Sequence, residues 1–270
     1  MKKVFYIFFF LLTTNSYSFA QNTILGRIIY DYTFVQNTDN PNNPYRDKMV
    51  LQFNRTSSVF KSQLMVESEE AERKRLEVVI NQAKGSRNIV ENGQSLLRGS
   101  AVRYYNFYKE KLDYQYHPTG GNIYLIKQPL EKIEWMILNE VKGIAGFGCQ
   151  KAIGKSHGRT YIVWFTTDIP YPYGPRKLWG LPGMILEAAD TESQVVYKLL
   201  HVDLNPMPEE KVEMPRDGII TTHQEFNRMA NATSNDATSG IENSQGLTVK
   251  EVGSSTRPVR KPVANKIDRD

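Results

Sequence analysis

The chain has 270 residues, of which 34 are lysine or arginine and 29 are acidic, so its formal net charge is +5. A single cysteine excludes an internal disulfide, and the absence of a concentrated basic run argues against nucleic-acid binding. Hydrophobic residues make up 40% of the chain, and about 200 residues of patterned sequence can bury an ordinary core as one domain.

The N-terminus has the pattern of a Sec signal peptide. Lys2 and Lys3 precede an apolar run over residues 4–12, and Ser18-Phe19-Ala20 supplies small residues at the two positions that signal peptidase reads. The apolar run is much shorter than the roughly 20 residues that a membrane-spanning helix needs. We expect a signal peptide over residues 1–20 and an exported mature chain without a transmembrane segment, located in the periplasm, in the cell envelope or outside the cell.

The body of the chain is rich in short segments of β-branched and aromatic residues that alternate with turn residues, a pattern typical of antiparallel strands. Residues 67–84 lack glycine and proline and predict a helix on the outside of the sheet. Thr222 and Glu225 match a capping box that opens a second, short helix. Strands are predicted over residues 26–35, 49–54, 58–64, 102–108, 112–116, 122–127, 135–138, 144–153, 159–165, 184–188 and 194–202.

These elements predict a mainly β (α+β) fold, a curved antiparallel sheet or partial barrel with one or two accessory helices. We expect one β-rich domain over residues 21–229. Residues 230–270 are dominated by Ser, Thr, Asn, Gly and Pro, with few large apolar side chains. Such a segment buries too little surface to offset its ordering entropy and is predicted to be a disordered polar tail.

Residues 164–187 concentrate prolines, glycines and aromatic side chains in one segment, called the signature segment below. One interpretation is a rigid crossover between two strands, held by packing of Trp164 and Trp179. The other is a rim that binds a ligand or a partner, because aromatic and arginine side chains dominate interface anchors. The candidate binding residues are Tyr171, Tyr173, Arg176, Lys177, Trp179, Gly180, Leu181, Pro182 and Gly183.

Motifs of catalysis are weak. The signature segment is neither a phosphate-binding loop nor a nucleophile elbow. Cys149 and His157 lie across a predicted hairpin, but a lone cysteine among apolar residues is more often a small buried hydrophobe. The four histidines show no zinc-site spacing. We therefore predict no catalytic residue, no metal site and no cofactor.

Arg159 stands within an apolar and aromatic run, which suggests an ion pair inside the sheet. Asp168 and Glu187 are the candidate partners, and a solvated arginine on a strand face is the alternative. The tyrosine-rich strands around residues 102–108 and 112–116 also allow two interpretations. They are either half-buried strand faces or the wall of an apolar cavity.

The hexapeptide Gly180-Leu181-Pro182-Gly183-Met184-Ile185 resembles the signature of the GLPGLI family, with methionine in place of the second leucine. Upstream residues that also match are 148–152, 158–161, 164–166 and 174–175, with Asp168 where the family usually has glutamate. The resemblance implies an exported, β-rich protein of the Bacteroidetes without an assigned activity. Members are often encoded near TonB-dependent outer-membrane receptors, which implies work at the cell envelope.

Three functions follow as hypotheses. The first is a non-enzymatic envelope module that engages an outer-membrane or periplasmic protein, such as a TonB-dependent receptor, through the signature segment. The alternative is a carrier of a lipid or other apolar ligand in the concave sheet, and the third is a hydrolase with an acidic site. A partner-binding module needs an exposed aromatic patch, a carrier needs an apolar cavity, and an enzyme needs a cleft with perturbed titratable groups.

Overall fold

The structure is a computed structural model that describes residues 23–82, 100–119, 121–216 and 218–229. The predicted signal peptide and the predicted polar tail lie outside these residues. The elements of the described chain are β1 (Thr23–Ile24), β2 (Gly26–Phe34), β3 (Tyr45–Phe53), β4 (Ser57–Ser62), α1 (Gln63–Gln82), β5 (Arg103–Phe107), β6 (Leu112–Thr119), β7 (Asn122–Pro129), β8 (Trp135–Ile144), β9 (Phe147–Ser156), β10 (Arg159–Thr166), β11 (Met184–Asp190), β12 (Val195–Asp203), β13 (Met207–Lys211), β14 (Ile219–Thr221) and α2 (223–229).

Twelve strands form one sheet in the order β14-β7-β6-β5-β4-β3-β2-β12-β11-β10-β9-β8. Neighbours in this sheet pair antiparallel, except that β14 runs parallel to β7. The two halves of the chain join where β12 pairs with β2, with Tyr197 opposite Tyr32. The remaining strands, β1 and β13, form a separate two-stranded ribbon. The predicted mainly β fold with accessory helices is confirmed.

Interruptions in strand pairing bend the sheet. The register shifts between Trp164 and Phe165 on β10 and between Leu199 and His201 on β12. Bulges of this kind increase the right-handed twist that strands already have and bend the strand that carries them. The sheet is therefore curved, and one concave face collects the large side chains.

The alternation of β2 shows how the sequence makes this face. Its even-numbered residues are all buried while the odd-numbered ones are half-buried. Ile28, Tyr30, Tyr32 and Phe34 join the main apolar core on the concave face. A second, smaller core lies on the opposite face of β4 to β7, where the β1–β13 ribbon contributes Ile24. The turn His157-Gly158 has φ of 46° and 71°, as a two-residue hairpin of right-handed twist requires.

Both predicted helices are present, with shifted bounds for the first. α1 begins at Gln63, directly after β4, rather than at residue 67, because Met65 and Val66 are buried against the sheet. Its following turns are largely exposed, as a polar helix on the outside predicts. The capping box is confirmed, since Thr222 N–H donates to Glu225 Oε2 and Glu225 N–H donates to Thr222 Oγ1, both at 3.2 Å.

The observed strand bounds differ most from the predicted ones where pairing with a neighbouring strand sets the end of a strand. β8 continues to Ile144, six residues beyond its predicted end, because it pairs with β9 up to a turn at Ala145-Gly146. β13 and β14 are short and were not predicted. Each is defined by its partner, β1 and β7 respectively, rather than by a local pattern.

Candidate functional site

Residues 167–183 of the signature segment connect β10 to β11 and fold back over the concave face. The segment is held to itself and to β11 by main-chain bonds, from Gly180 N–H to the Pro172 carbonyl at 2.9 Å and from Ile185 N–H to the Tyr173 carbonyl at 2.8 Å. Gly183 is required by close approach, since a Cβ there would lie 1.9 Å from the Thr166 carbonyl oxygen. The crossover is therefore tightly packed at its point of return.

Tyr173 anchors the segment to the sheet. Its hydroxyl donates to the Arg55 carbonyl at 2.8 Å, and its ring stacks on Tyr108 with centroids 4.0 Å apart. Tyr173 is 2% exposed, whereas Tyr171 beside it is half-buried against Phe53. Tyr173 is thus part of the core, and only Tyr171 of this pair offers surface to a partner.

Trp179 joins the segment to β8 and the residues before it. Its Nε1 donates to the Glu131 carbonyl at 2.7 Å, and Trp135 Nε1 donates to the Trp179 carbonyl at 2.8 Å. Leu181 is buried, while Gly180 and Pro182 are exposed. The candidate residues of the hexapeptide consequently alternate between the surface and the core. The aromatic candidates before them do not form one continuous exposed patch, since Tyr173 is buried and Tyr171 and Trp179 are half-buried.

Arg176 and Lys177 extend from the segment toward different places. Arg176 has a φ of 57°, and its carbonyl accepts a 2.6 Å hydrogen bond from the buried Asn106 side chain. Its guanidinium carbon lies 4.7 Å from the centre of the Tyr104 ring, a cation–π distance. The Lys177 ammonium is 3.6 Å from Asp113 Oδ2 in a pair whose side chains are 3% and 0% exposed.

Lys177 belongs to a polar cluster on the concave side of β6 and β7. Its ammonium is also 3.3 Å from His157 Nε2, and Gln128 Nε2 donates to Asp113 Oδ2. Further along β6, burial lowers the pKa of His117 to about 4, and nearby His223 and Arg176 act in the same direction. This imidazole is therefore neutral at physiological pH. Among the described residues, nothing forms a hydrogen bond with its Nε2.

A cavity of about 430 Å³ opens on the concave face beside Arg176. Its buried floor comes from four neighbouring strands. Its mouth comes from the residues after β2, the start of β3, the start of β5 and the signature segment, and it is half-buried except for the exposed Gln36. The floor residues are Tyr32, Phe34, Met49, Phe60 and Tyr197, and the mouth residues are Gln36, Tyr45, Ser100, Val102, Tyr104 and Arg176.

Aromatic rings make most of the cavity wall. Tyr32 and Tyr197 stack with centroids 5.0 Å apart, and Phe60 packs edge-on against Tyr197 at 5.9 Å. Burial raises the pKa of Tyr32 and of Tyr197, so both hydroxyls stay protonated. The Tyr32 hydroxyl has no hydrogen-bond partner within the described chain. The wall is therefore apolar in character with neutral hydroxyl groups.

The sequence predicted Arg176 as a binding residue but did not identify the cavity floor. Of the tyrosines considered for a cavity wall, Tyr104 lines it, whereas Tyr105 and Tyr114 belong to the second core on the opposite face. Cross-strand register decides the difference, because it pairs Phe60 with Tyr104 and Tyr197 with Tyr32. Such pairs cannot be derived from one strand's pattern.

The structure places Arg159 inside the sheet, at 2% exposure, with Asp190 as the ion-pair partner. Asp190 Oδ1 also accepts from the main-chain N–H groups of Gln194 and Val195. The predicted partners lie elsewhere. Asp168 is exposed in the turn after the far end of β10, and Glu187 pairs with Lys142 at 2.6 Å. Antiparallel pairing sets the start of β10 beside the end of β11, which brings Asp190 to Arg159.

Cys149 and His157 do not form a catalytic pair. They are eight residues apart near and just beyond opposite ends of β9, a separation of roughly 26 Å at strand rise. Burial, and next the Glu187 carboxylate, raise the pKa of the Cys149 thiol to about 11, which disfavours the nucleophilic thiolate.

Within the described ranges, no group of three metal-ligating side chains comes together. None of the described helices is long and apolar enough to cross a bilayer.

These features define a mainly β protein with an aromatic cavity on the concave face of an open sheet. Residues 154–187, which contain the whole signature segment, match the model of a family described as a protein of unknown function, Porph_ging. This match includes the hexapeptide on which the resemblance to the GLPGLI family rests. No curated protein matches the chain.

Two solved structures of PNGF-II, in the C2 and P21 space groups, are similar in fold. Both have a TM-score of 0.50, with sequence identities of 14% and 15%. The similarity covers 77% of this chain in each case, but only 32% and 33% of the PNGF-II chains. The chain thus spans about a third of PNGF-II, and the likeness concerns the β-rich fold.

Proposed function

We propose that this protein is a non-enzymatic binding protein that holds a small, mainly apolar ligand in the cavity on its concave face. The observation that carries the proposal is the cavity itself, whose volume of about 430 Å³ falls within the range of ligand sites. Such sites are lined mainly by apolar and aromatic side chains with a few polar groups. The wall of tyrosine, phenylalanine and methionine side chains fits this description.

The packing of the signature segment favours binding of a small ligand over binding of a protein partner as the function of this protein. A partner site would need a continuous exposed aromatic patch. Tyr173, Lys177 and Leu181 are instead buried, and Trp179 is half-buried with its indole N–H bonded to a main-chain carbonyl. The segment thereby serves as a scaffold that presents Arg176 at the cavity mouth.

We also propose that the chain is exported and works in the cell envelope, where a carrier of apolar molecules has a use. Support comes from the signal-peptide pattern of residues 1–20 and from the GLPGLI-like hexapeptide. Docking to an outer-membrane protein such as a TonB-dependent receptor would then deliver or collect the ligand. Among the candidate binding residues, Gly180 and Pro182 are exposed and Tyr171 is half-buried, so they have surface for such a contact.

The cavity is tested by blocking its mouth. Val102 is half-buried there, and Val102→Trp would place an indole in the opening. The neutral fluorescent probe N-phenyl-1-naphthylamine is expected to bind the wild type saturably and to lose at least about tenfold in affinity in this variant, which is about 1.4 kcal/mol.

The matched control is Val78→Trp, since Val78 is 53% exposed on α1 and is not part of the cavity lining. It should bind the probe as the wild type does. Equal affinity of Val102→Trp and Val78→Trp would show that the probe binds elsewhere, and the absence of saturable binding to the wild type would also refute the proposal.

A further inference from the structure

We infer that the cavity selects amphipathic anions, ligands with an apolar body and one carboxylate, phosphate or similar group that Arg176 binds. This inference rests on the proposed function and adds the chemical class of the ligand. It is based on Arg176, a charged side chain held in place at the mouth, and on the other side chains that line the cavity, which are neutral.

Arg176 supplies the charge among the residues that line the cavity. The remaining lining side chains are aromatic, aliphatic, amide or hydroxyl groups, and burial keeps the phenols of Tyr32, Tyr45 and Tyr197 protonated by raising each pKa. A guanidinium presents a planar fork of donors that matches carboxylate and phosphate oxygens. An anionic group at the mouth and an apolar body on the floor would therefore both find matching surroundings.

The backbone holds Arg176 in a conformation that few residues adopt. A non-glycine residue at a φ of 57° costs on the order of 1 kcal/mol and persists only where the surroundings enforce it. Here Asn106 binds the Arg176 carbonyl, and the neighbouring Lys177 is buried beside Asp113. The side chain is thereby directed over Tyr104, which turns the charge toward the mouth of the cavity.

One carboxylate also lies near the cavity wall and has to be considered. Asp47 stands opposite Tyr32 in the strand register, on the same face. Its oxygens accept from Tyr45 Oη at 2.9 Å, from Ser62 Oγ at 3.1 Å and from Ser100 N–H at 3.3 Å. These three neutral donors hold the carboxylate in place, and Asp47 does not line the cavity. Arg176 does line the cavity and is therefore the charged side chain that a bound ligand would contact.

The test compares two probes that share an anilinonaphthalene body and differ by one anionic group. These are 8-anilinonaphthalene-1-sulfonate, an anion, and the neutral N-phenyl-1-naphthylamine. Arg176→Asn removes the guanidinium with a residue that tolerates positive φ, so the turn is kept. We expect this variant to bind the anionic probe about tenfold more weakly, as for loss of one charge-assisted contact, and the neutral probe within about twofold of the wild type.

Two further variants complete the experiment. Arg176→Lys keeps the charge and should retain most of the affinity for the anion, and Arg73→Gln removes an exposed arginine of α1 as the control. Melting curves verify that each variant is folded. Equal weakening of both probes in Arg176→Asn, or no weakening of either, would overturn the inference while leaving the cavity as a ligand site. Binding that Val102→Trp does not affect would instead refute the proposed function.

Discussion

At the scale of single residues, the concave face combines two kinds of surroundings. On the side of β2, β3, β4 and β12 it is aromatic, and on the side of β6 and β7 it carries the polar side chains of Asp113, Gln115 and His117. Arg176 and Lys177 of the signature segment lie between them, with Arg176 over Tyr104 of β5 and Lys177 beside Asp113 of β6. Two adjacent basic residues thus have different roles, because they are the central residues of the turn that Leu178 N–H closes onto the Pro175 carbonyl at 3.1 Å, with Arg176 at positive φ.

His117 is expected to make stability depend on pH. Its pKa is about 4 in the folded protein, chiefly because of burial, against an ordinary value near 6.5. Between these values the unfolded chain binds the proton more strongly, so the contribution of His117 to stability is present above pH 6.5 and is lost as the pH falls toward 4. The His117 ring packs against Phe226, so docking of α2 weakens in the same window.

Urea unfolding at pH 7 and at pH 4.5 measures this effect. His117→Gln should lose less free energy of unfolding over this interval than the wild type does, since glutamine does not titrate. His201→Gln, on an exposed position of β12, is the matched control and should show the wild-type dependence. An unchanged pH dependence in His117→Gln would mean that other groups dominate the acid sensitivity.

At the scale of elements, the signature segment is fixed to the sheet by core residues rather than by exposed ones. The buried Lys177–Asp113 pair ties it to β6, and Tyr173 ties it to the residues after β3 and β5. Loss of one member of a buried pair leaves a charge without its partner and typically costs about 3–5 kcal/mol. The segment should therefore be among the most sensitive parts of the fold.

Lys177→Met is predicted to lower the free energy of unfolding by about 3 kcal/mol or more, as measured in urea. The control is Lys132→Met, because the Lys132–Glu134 pair is 79% and 83% exposed and such pairs contribute little. A change of less than about 0.5 kcal/mol is expected for this control. Similar small changes in both variants would show that the buried pair does not hold the segment in place.

At the scale of the whole molecule, the arrangement suits a carrier. The sheet is open, and the cavity on its concave face has its mouth beside Arg176 of the crossover between β10 and β11. Such a carrier would act in the cell envelope only if the chain is exported. In the proposed exported chain, Ser18 and Ala20 would occupy the two positions that signal peptidase reads, and cleavage is predicted before Gln21.

Expression of the full chain in a bacterium, followed by cell fractionation and N-terminal sequencing, tests this role. The wild type should begin at Gln21 and appear outside the cytoplasm. Ala20→Lys should block cleavage, while Phe19→Lys, at the intervening position that the peptidase does not read, should be processed. Cytoplasmic, uncleaved wild-type protein would refute the export proposal. The domain limits of residues 21–229 and the disorder of residues 230–270 stay predictions from composition.

The sequence by itself determined the fold class, most strand positions, both helices and the capping box at Thr222, because hydrophobic period, turn residues and capping are local properties. It also singled out Arg176 within an unusual segment. Only the tertiary structure decided that Asp190 pairs with Arg159, that Tyr173 and Lys177 are buried, and that Tyr32, Phe60, Tyr104 and Tyr197 face one cavity. These facts depend on strand order, on register and on sheet curvature, since each brings together residues from distant parts of the chain.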